Sequence, residues 1–236
     1  MPDVKPLCYK TQILSFNGKM VKTYKEIGVV IAGLELWSGK YYGETMCNRA
    51  LQVKLECLRY CLKTAGNGRF DRVKQARQNR VKLMVNQPSL FTLQVDTDIK
   101  GLQATADHLG IELGIRLNIF SDKDWRKIIE ANPDTRFYDY TKETARFNAF
   151  LRGELPSNYD LTFSASEVDT ERKLKGYLDR GGKIAFIYRG GIPETYLGRV
   201  PIDGDKHDAR WLNPPGSVIA LYTKGKARSH PRFNIL

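Results

Sequence analysis

Short apolar runs and longer amphipathic stretches alternate through the second half of the chain. IRLNIF (115–120) leads into SDKDW and a helical stretch to about Asn132, and RFYDYT (136–141) precedes KETARFNAFLRG. DLTFSAS (160–166) precedes VDTERKLKGYLDRGG, then come KIAFIYRG (183–190) and GSVIALYTKG (216–225). Strand-length runs alternating with helices of about 10–15 residues predict βαβ units and a parallel sheet.

The first half is less regular. EIGVVIAGLELW (26–37) reads as a strand or hairpin, residues 44–64 as helical, and Arg69 to Met84 as a basic amphipathic helix with Phe70, Val73, Val81 and Met84 inward. A short element over Ser89–Val95 precedes a helix over Asp98–Leu109. The pattern predicts one α/β domain over 1–236, with an irregular part over 1–90 and regular βα units over 110–228. Its sheet is expected to be a compact or incomplete (βα) TIM-like barrel of mostly parallel strands. Five or six strands are visible, short of eight, and an open doubly wound sheet is the alternative.

Each apolar run ends in polar groups, and ligands of parallel α/β folds bind at the carboxyl ends of strands. Asp122 is therefore a candidate catalytic carboxylate. Arg116, Asn118, Ser121, Asp139, Tyr140, Lys142, Ser164, Ser166 and Lys224 are candidate substrate contacts. Ser, Thr and Asp after a strand are also helix caps, a reading that suits Thr141 and Asp169 and competes with catalysis for Asp122. The late loop IDGDKHDARWLNPPG gathers Asp203, Asp205 and Asp208 beside His207 and Arg210. Three neighbouring carboxylates suit acid–base work or Mg²⁺, with Arg210 against a substrate or an aspartate. Gly204 and the Pro-Pro-Gly also mark turns, in which aspartates bond their own backbone.

A formal charge of +12 and a pI near 9.5 change the picture by pointing to a polyanionic partner. The positive charge is clustered: Arg69, Arg72, Lys74, Arg77 and Arg80 in one stretch, and Lys224, Lys226, Arg228 and Arg232 around His230 in another. Nucleic acid is the expected partner. No run of eighteen apolar residues is present and MPDVKPLCYKTQ has no apolar signal core, so no membrane partner is expected.

Cys47, Cys57 and Cys61 follow C-x9-C-x3-C, with Cys8 alone upstream. Cys57 and Cys61 would share a helix face, and three or four thiolates could hold zinc or an iron–sulfur cluster. Cysteines are equally at home as small buried residues. No GxGxxG, P-loop, GxSxG or HExxH motif is present, which removes weight from Rossmann enzymes, P-loop kinases, serine hydrolases and zincins.

The segments CLKTAGNGRFDRVKQAR, RLNIFSDKDW, FYDYTK, YDLTFSAS and IDGDKHDARWL, closing in VIALYTKGKAR, resemble a group of phage-encoded proteins from about Cys47 to Arg228. In layout that group is similar to diminished tRNA-guanine transglycosylases and phage DNA 7-deazaguanine transglycosylases. The resemblance implies a barrel, an aspartate nucleophile at C1′, a second aspartate as base, and a basic surface for DNA. Asp122 would be the first carboxylate, and Asp203 or Asp205 the second. A 7-deazaguanine-type base would be exchanged for guanine in the infected bacterial host's cytoplasm. The extruded guanine would be sandwiched by Tyr138, Tyr140 or Phe163, although Phe163 equally suits strand core. The other readings are a non-catalytic nucleic-acid-binding accessory or anti-defence protein, and an iron–sulfur radical enzyme. The oligomeric state is left open.

Overall fold

A computed structural model describes residues 10–229. Its main sheet has seven strands: β1 (Val30–Gly33), β4 (Leu113–Arg116), β5 (Arg136–Thr141), β6 (Tyr159–Ser164), β7 (Lys183–Tyr188), β8 (Ile202–Asp203) and β9 (Val218–Tyr222). Lys40–Tyr41 (β2) and Glu44–Thr45 (β3) form a separate hairpin. The main order is β1-β4-β5-β6-β7-β9-β8 and every pairing is parallel. Neighbours in sequence are thus mostly neighbours in space. The sheet curls into a half-barrel, as expected for an incomplete (βα) barrel and unlike a doubly wound order. β8 is the strand the apolar pattern missed.

Helices cover the convex face. Phe147 of α6 (Thr144–Leu151) and Tyr177 of α7 (Glu171–Leu178) pack with Phe163 at ring distances of 4.9–5.2 Å. Ile128 and Ile129 of α5 (Arg126–Glu130), Val81 of α3 (Asp71–Asn86) and Phe91, Val95, Ile99 and Leu102 of α4 (Pro88–Leu109) belong to the same core. Phe163 is therefore core, as is the fully buried Tyr138 on the other face. Asp98, buried in mid-helix, accepts the N–H groups of Gln12, Ile13 and Leu14 at 2.7–3.0 Å. The chain then bridges Gly33 through Ser15, so the β1 edge is covered.

The concave face is filled by two elements absent from the pattern. α1 (Gly18–Ile27) runs between an Asn17 side-chain cap and a left-handed Gly28, and buries Met20 against Val29 and Ile31. Residues 204–212 cross the sheet from its β8 edge to β4, where the Trp211 ring lies over Gly114 and 5.1 Å from that of Tyr138. A Cβ on Gly114 would stand 2.3 Å from that ring, so only glycine admits the crossing.

Residues 44–64 are not one helix. After α2 (Asn48–Gln52) the backbone reaches a positive φ at Lys54, Leu55 turns inward, and 3-10 turns follow at Glu56–Leu58, Leu62–Thr64 and Gly66–Arg69. Cys57 and Cys61 consequently share no helix face. No helix is long and apolar enough to cross a membrane among the described residues.

Candidate functional site

The carboxyl ends of β4, β5, β6, β7 and β9 surround a cavity of about 300 Å³, roofed by residues 47–62 and by the segment after β9. That is near the lower limit of ordinary ligand pockets. Arg116, Asn118, Ser121, Asp122, Tyr140 and Lys142 border it, as do Ser164, Ser166 and Lys224. Strand-end placement thus collects eight of the expected contacts together with the candidate carboxylate Asp122. Asp139 does not join them: it alternates to the helix-covered face, where it accepts bonds from Asn118 and from the Tyr159 hydroxyl. Burial pushes its carboxyl up to about 7, against the lowering effect of Arg116 and the Asn118 N–H.

Asp122 is fixed from three sides. Its oxygens accept the Thr141 hydroxyl and the Lys142 N–H, each at 2.8 Å, and it pairs with Arg146. It is no helix cap, because α5 begins only at Arg126. Asn118 shapes this loop by accepting from Ser121, the Lys123 N–H and Trp125. Lys142 reaches the next strand end, donating to Ser164 O, Ser164 Oγ and Ala165 O at 2.9–3.2 Å.

The late aspartates are not one cluster. Asp203 accepts the Asp205 N–H as a turn former. Asp205 binds Lys224 at 2.6 Å and the Tyr222 N–H, which hold its carboxyl below the usual range although burial opposes this. Asp208 is buried on the concave face with Lys19 at 2.9 Å, Arg116 at 3.2 Å and the Tyr138 hydroxyl at 2.8 Å. Burial works to raise it, yet Lys19, Arg116 and Arg210 hold it far below the carboxylate range. None of the three borders the cavity, and neither does Arg210, which is fully buried and donates to the His207 and Gly204 carbonyls. Asp208 reaches the cavity only through Lys19, Arg116 and Tyr140, which do border it. No residue of the late acidic loop, 202–212, borders the cavity.

Cys47, Cys57 and Cys61 all border the cavity. Burial pushes the Cys47 thiol up to about 12 and that of Cys57 up to about 11, although Lys142 acts to lower the latter. Cys61 lies 3.1 Å from the Ser38 hydroxyl. Among the described residues no three His, Cys, Asp or Glu side chains are grouped to hold a metal ion, and Cys8 lies outside them.

The basic helix is only partly a surface. Arg77 is buried, forks onto Glu35 at 2.7–2.9 Å and lies over the Phe120 ring, so it is not available to a phosphate. Arg80 bonds the Glu35 carbonyl and is half-buried. Lys74 pairs with Asp71, while Arg69 and Arg72 are exposed. Phe70, expected inward, is exposed as well. The second cluster forms a 3-10 turn, Gly225–Ser229, with Lys226 and Arg228 exposed; His230 and Arg232 lie outside the described residues. This turn packs on residues 62–65, just ahead of the first cluster: a Cβ on Gly225 would stand 3.2 Å from that of Ala65. Tyr60, Leu62, Lys224 and Ala227 from the two segments all border the cavity. The tail's basic turn therefore meets, beside the cavity, the residues that lead into the basic helix, while none of Arg69, Arg72, Lys74, Arg77 and Arg80 borders the cavity itself.

A family model described as Gene product 88 matches residues 12–235. The chain belongs to this family. It is a phage-type family, in agreement with the motifs from Cys47 to Arg228. No curated protein and no solved structure matches the chain at a significant level, so the further likeness to transglycosylases finds no counterpart. Lys19, Thr223 and Glu167 border the cavity without having been expected there. Lys19 has no readable signal, because α1 reaches the concave face only in the fold. Thr223 carries the same strand-end signal as Ser164.

Proposed function

We propose that this member of the Gene product 88 family is a phage enzyme that modifies nucleic acid, most simply DNA, in the cytoplasm of the infected host. The observation that carries the reading is a strand-end cavity beside which the tail's basic turn packs on residues 62–65, the lead-in to the basic helix. The rim supplies charge for phosphates. The cavity, of about 300 Å³ and with Tyr140, Phe120 and Tyr222 on its walls, suits one extruded nucleotide unit. Asp122 is the one candidate carboxylate bordering it, so exchange of guanine for a 7-deazaguanine base would run through Asp122. Its bonds to Thr141, Lys142 and Arg146 suit an oriented anion facing an oxocarbenium-like centre. Asp205 and Asp208 are committed to Lys224, Lys19 and Arg116, and Asp203 accepts the Asp205 N–H as a turn former.

The test is mass spectrometry of nucleosides from phage DNA made with the wild-type gene, with Asp122→Asn and with no gene. A modified nucleoside present only with the wild type supports the reading. Ordinary nucleosides alone in all three samples reject it in favour of a non-catalytic binding protein.

A further inference from the structure

Among the described residues four cations border the cavity: Lys19, Arg116, Lys142 and Lys224. Lys19 and Arg116 share the single carboxylate of Asp208, and Lys224 has Asp205. Lys142 hydrogen-bonds only uncharged oxygens, those of Ser164 and Ala165. Glu167, the second bordering acid, is exposed, while Asp122 belongs to Arg146. Much of the remaining wall is apolar, including Ile119, Phe120, Ile187 and Leu221. A positive charge against such a wall is costly without a counter-charge.

The open hydrogen-bonding groups are all able to donate. Arg116 Nε and the Thr223 hydroxyl are buried and have no partner among the described residues. The Ser164 hydroxyl accepts from Lys142 and keeps its own hydrogen to donate. These groups, able to donate beside a fixed cation, fit a group that offers acceptors alone. A phosphoryl group meets that condition, whereas a neutral base brings donors of its own.

We propose that the cavity is a phosphoryl-binding site, with Lys142 as the charge and Ser164, Thr223 and Arg116 Nε as donors. This deepens the nucleic-acid reading by naming the group that enters. It stands on the cavity's own side chains rather than on the basic rim.

The experiment is calorimetric titration with guanosine 5′-monophosphate and with guanosine. The monophosphate binds and guanosine binds much more weakly. Lys142→Met weakens the monophosphate by about ten-fold or more, the worth of a charge-assisted contact, while Lys142→Arg stays close to wild type. Should Lys142→Met fail to fold, acylation of Lys142 in the wild-type protein, read by mass spectrometry, is slowed by the monophosphate. Displacement of the monophosphate by a 5′-phosphorylated oligonucleotide but not its 5′-hydroxyl twin assigns the site to chain ends. Displacement by neither assigns it to free nucleotides. Equal affinity for guanosine and its monophosphate, wild-type affinity in Lys142→Met, or unchanged acylation overturns the proposal. Salt-dependent oligonucleotide binding that persists in that case leaves the rim reading standing.

Discussion

Replacing Asp208 by Asn removes the charge that holds residues 204–212 against the concave face. The carboxylate is 2% exposed and serves Lys19, Arg116 and the Tyr138 hydroxyl. Asparagine keeps its shape and one acceptor, so the loss falls on the two cations. Lys19 is 23% exposed and can turn to water; Arg116, at 15%, cannot without leaving the Tyr140 ring 4.6 Å away. Breaking a buried pair from one side costs about 3–5 kcal/mol. For a chain of this size that is a fall in melting temperature of about 6–20 °C. The pH dependence has a definite sign. Asp208's folded-state pKa is depressed, so its contribution is fully present above the unfolded value of about 3.9 and is lost as pH falls toward the folded one. Urea unfolding of both proteins from pH 7 down to 4 measures this: a constant gap down to about pH 5, narrowing below it. A loss under about 1 kcal/mol at pH 7 would refute the reasoning and leave Trp211 and Ala209 as what holds the segment.

Asp139, raised to about 7, behaves oppositely. The folded protein keeps a proton there that the unfolded chain releases near 3.9, so stability falls as pH rises from 4 through 7; Asp139→Asn flattens that slope in the same unfolding assay. Gly114→Ala pushes a methyl against Trp211 and costs about 1–3 kcal/mol, accompanied by a change in tryptophan fluorescence. Arg77→Met leaves Glu35 buried without its guanidinium and lowers the melting temperature, yet leaves the salt slope of oligonucleotide binding unchanged, because the side chain does not reach the surface.

The half-barrel was legible because its central strands repeat one local pattern. β5 spans the residues its pattern marked, and β6, β7 and β9 differ by one to three residues at their ends. IRLNIF overran, since Asn118 turns the chain out of β4 to bond Ser121, Lys123 and Trp125. The N-terminal half failed for physical reasons. Residues 29–36 are buried on both sides, which erases any period, and α1 was announced only by Asn17 and Gly28. Asp98 looks like a helix start but is a mid-helix carboxylate serving the N–H groups of a distant segment. α4 starts instead at Pro88. Of the site, whatever followed from position at a strand end was readable, and Asp139 was misplaced because alternation turns it to the other face. The fates of Arg77, Asp205 and Asp208 depend on Glu35, Lys224 and Lys19, which only the fold brings near.

The central claim is that the two basic segments form one polyanion-binding rim beside the cavity. Fluorescence anisotropy of a labelled single-stranded oligonucleotide against salt concentration tests it most directly. Affinity should fall steeply with salt, and Arg69→Glu with Arg72→Glu, or Lys226→Glu with Arg228→Glu, should each weaken binding. For every phosphate that a variant no longer neutralises, the log–log slope should flatten by about 0.7. Binding that ignores salt, or a tail pair that binds like wild type while the helix pair does not, would contradict a shared rim.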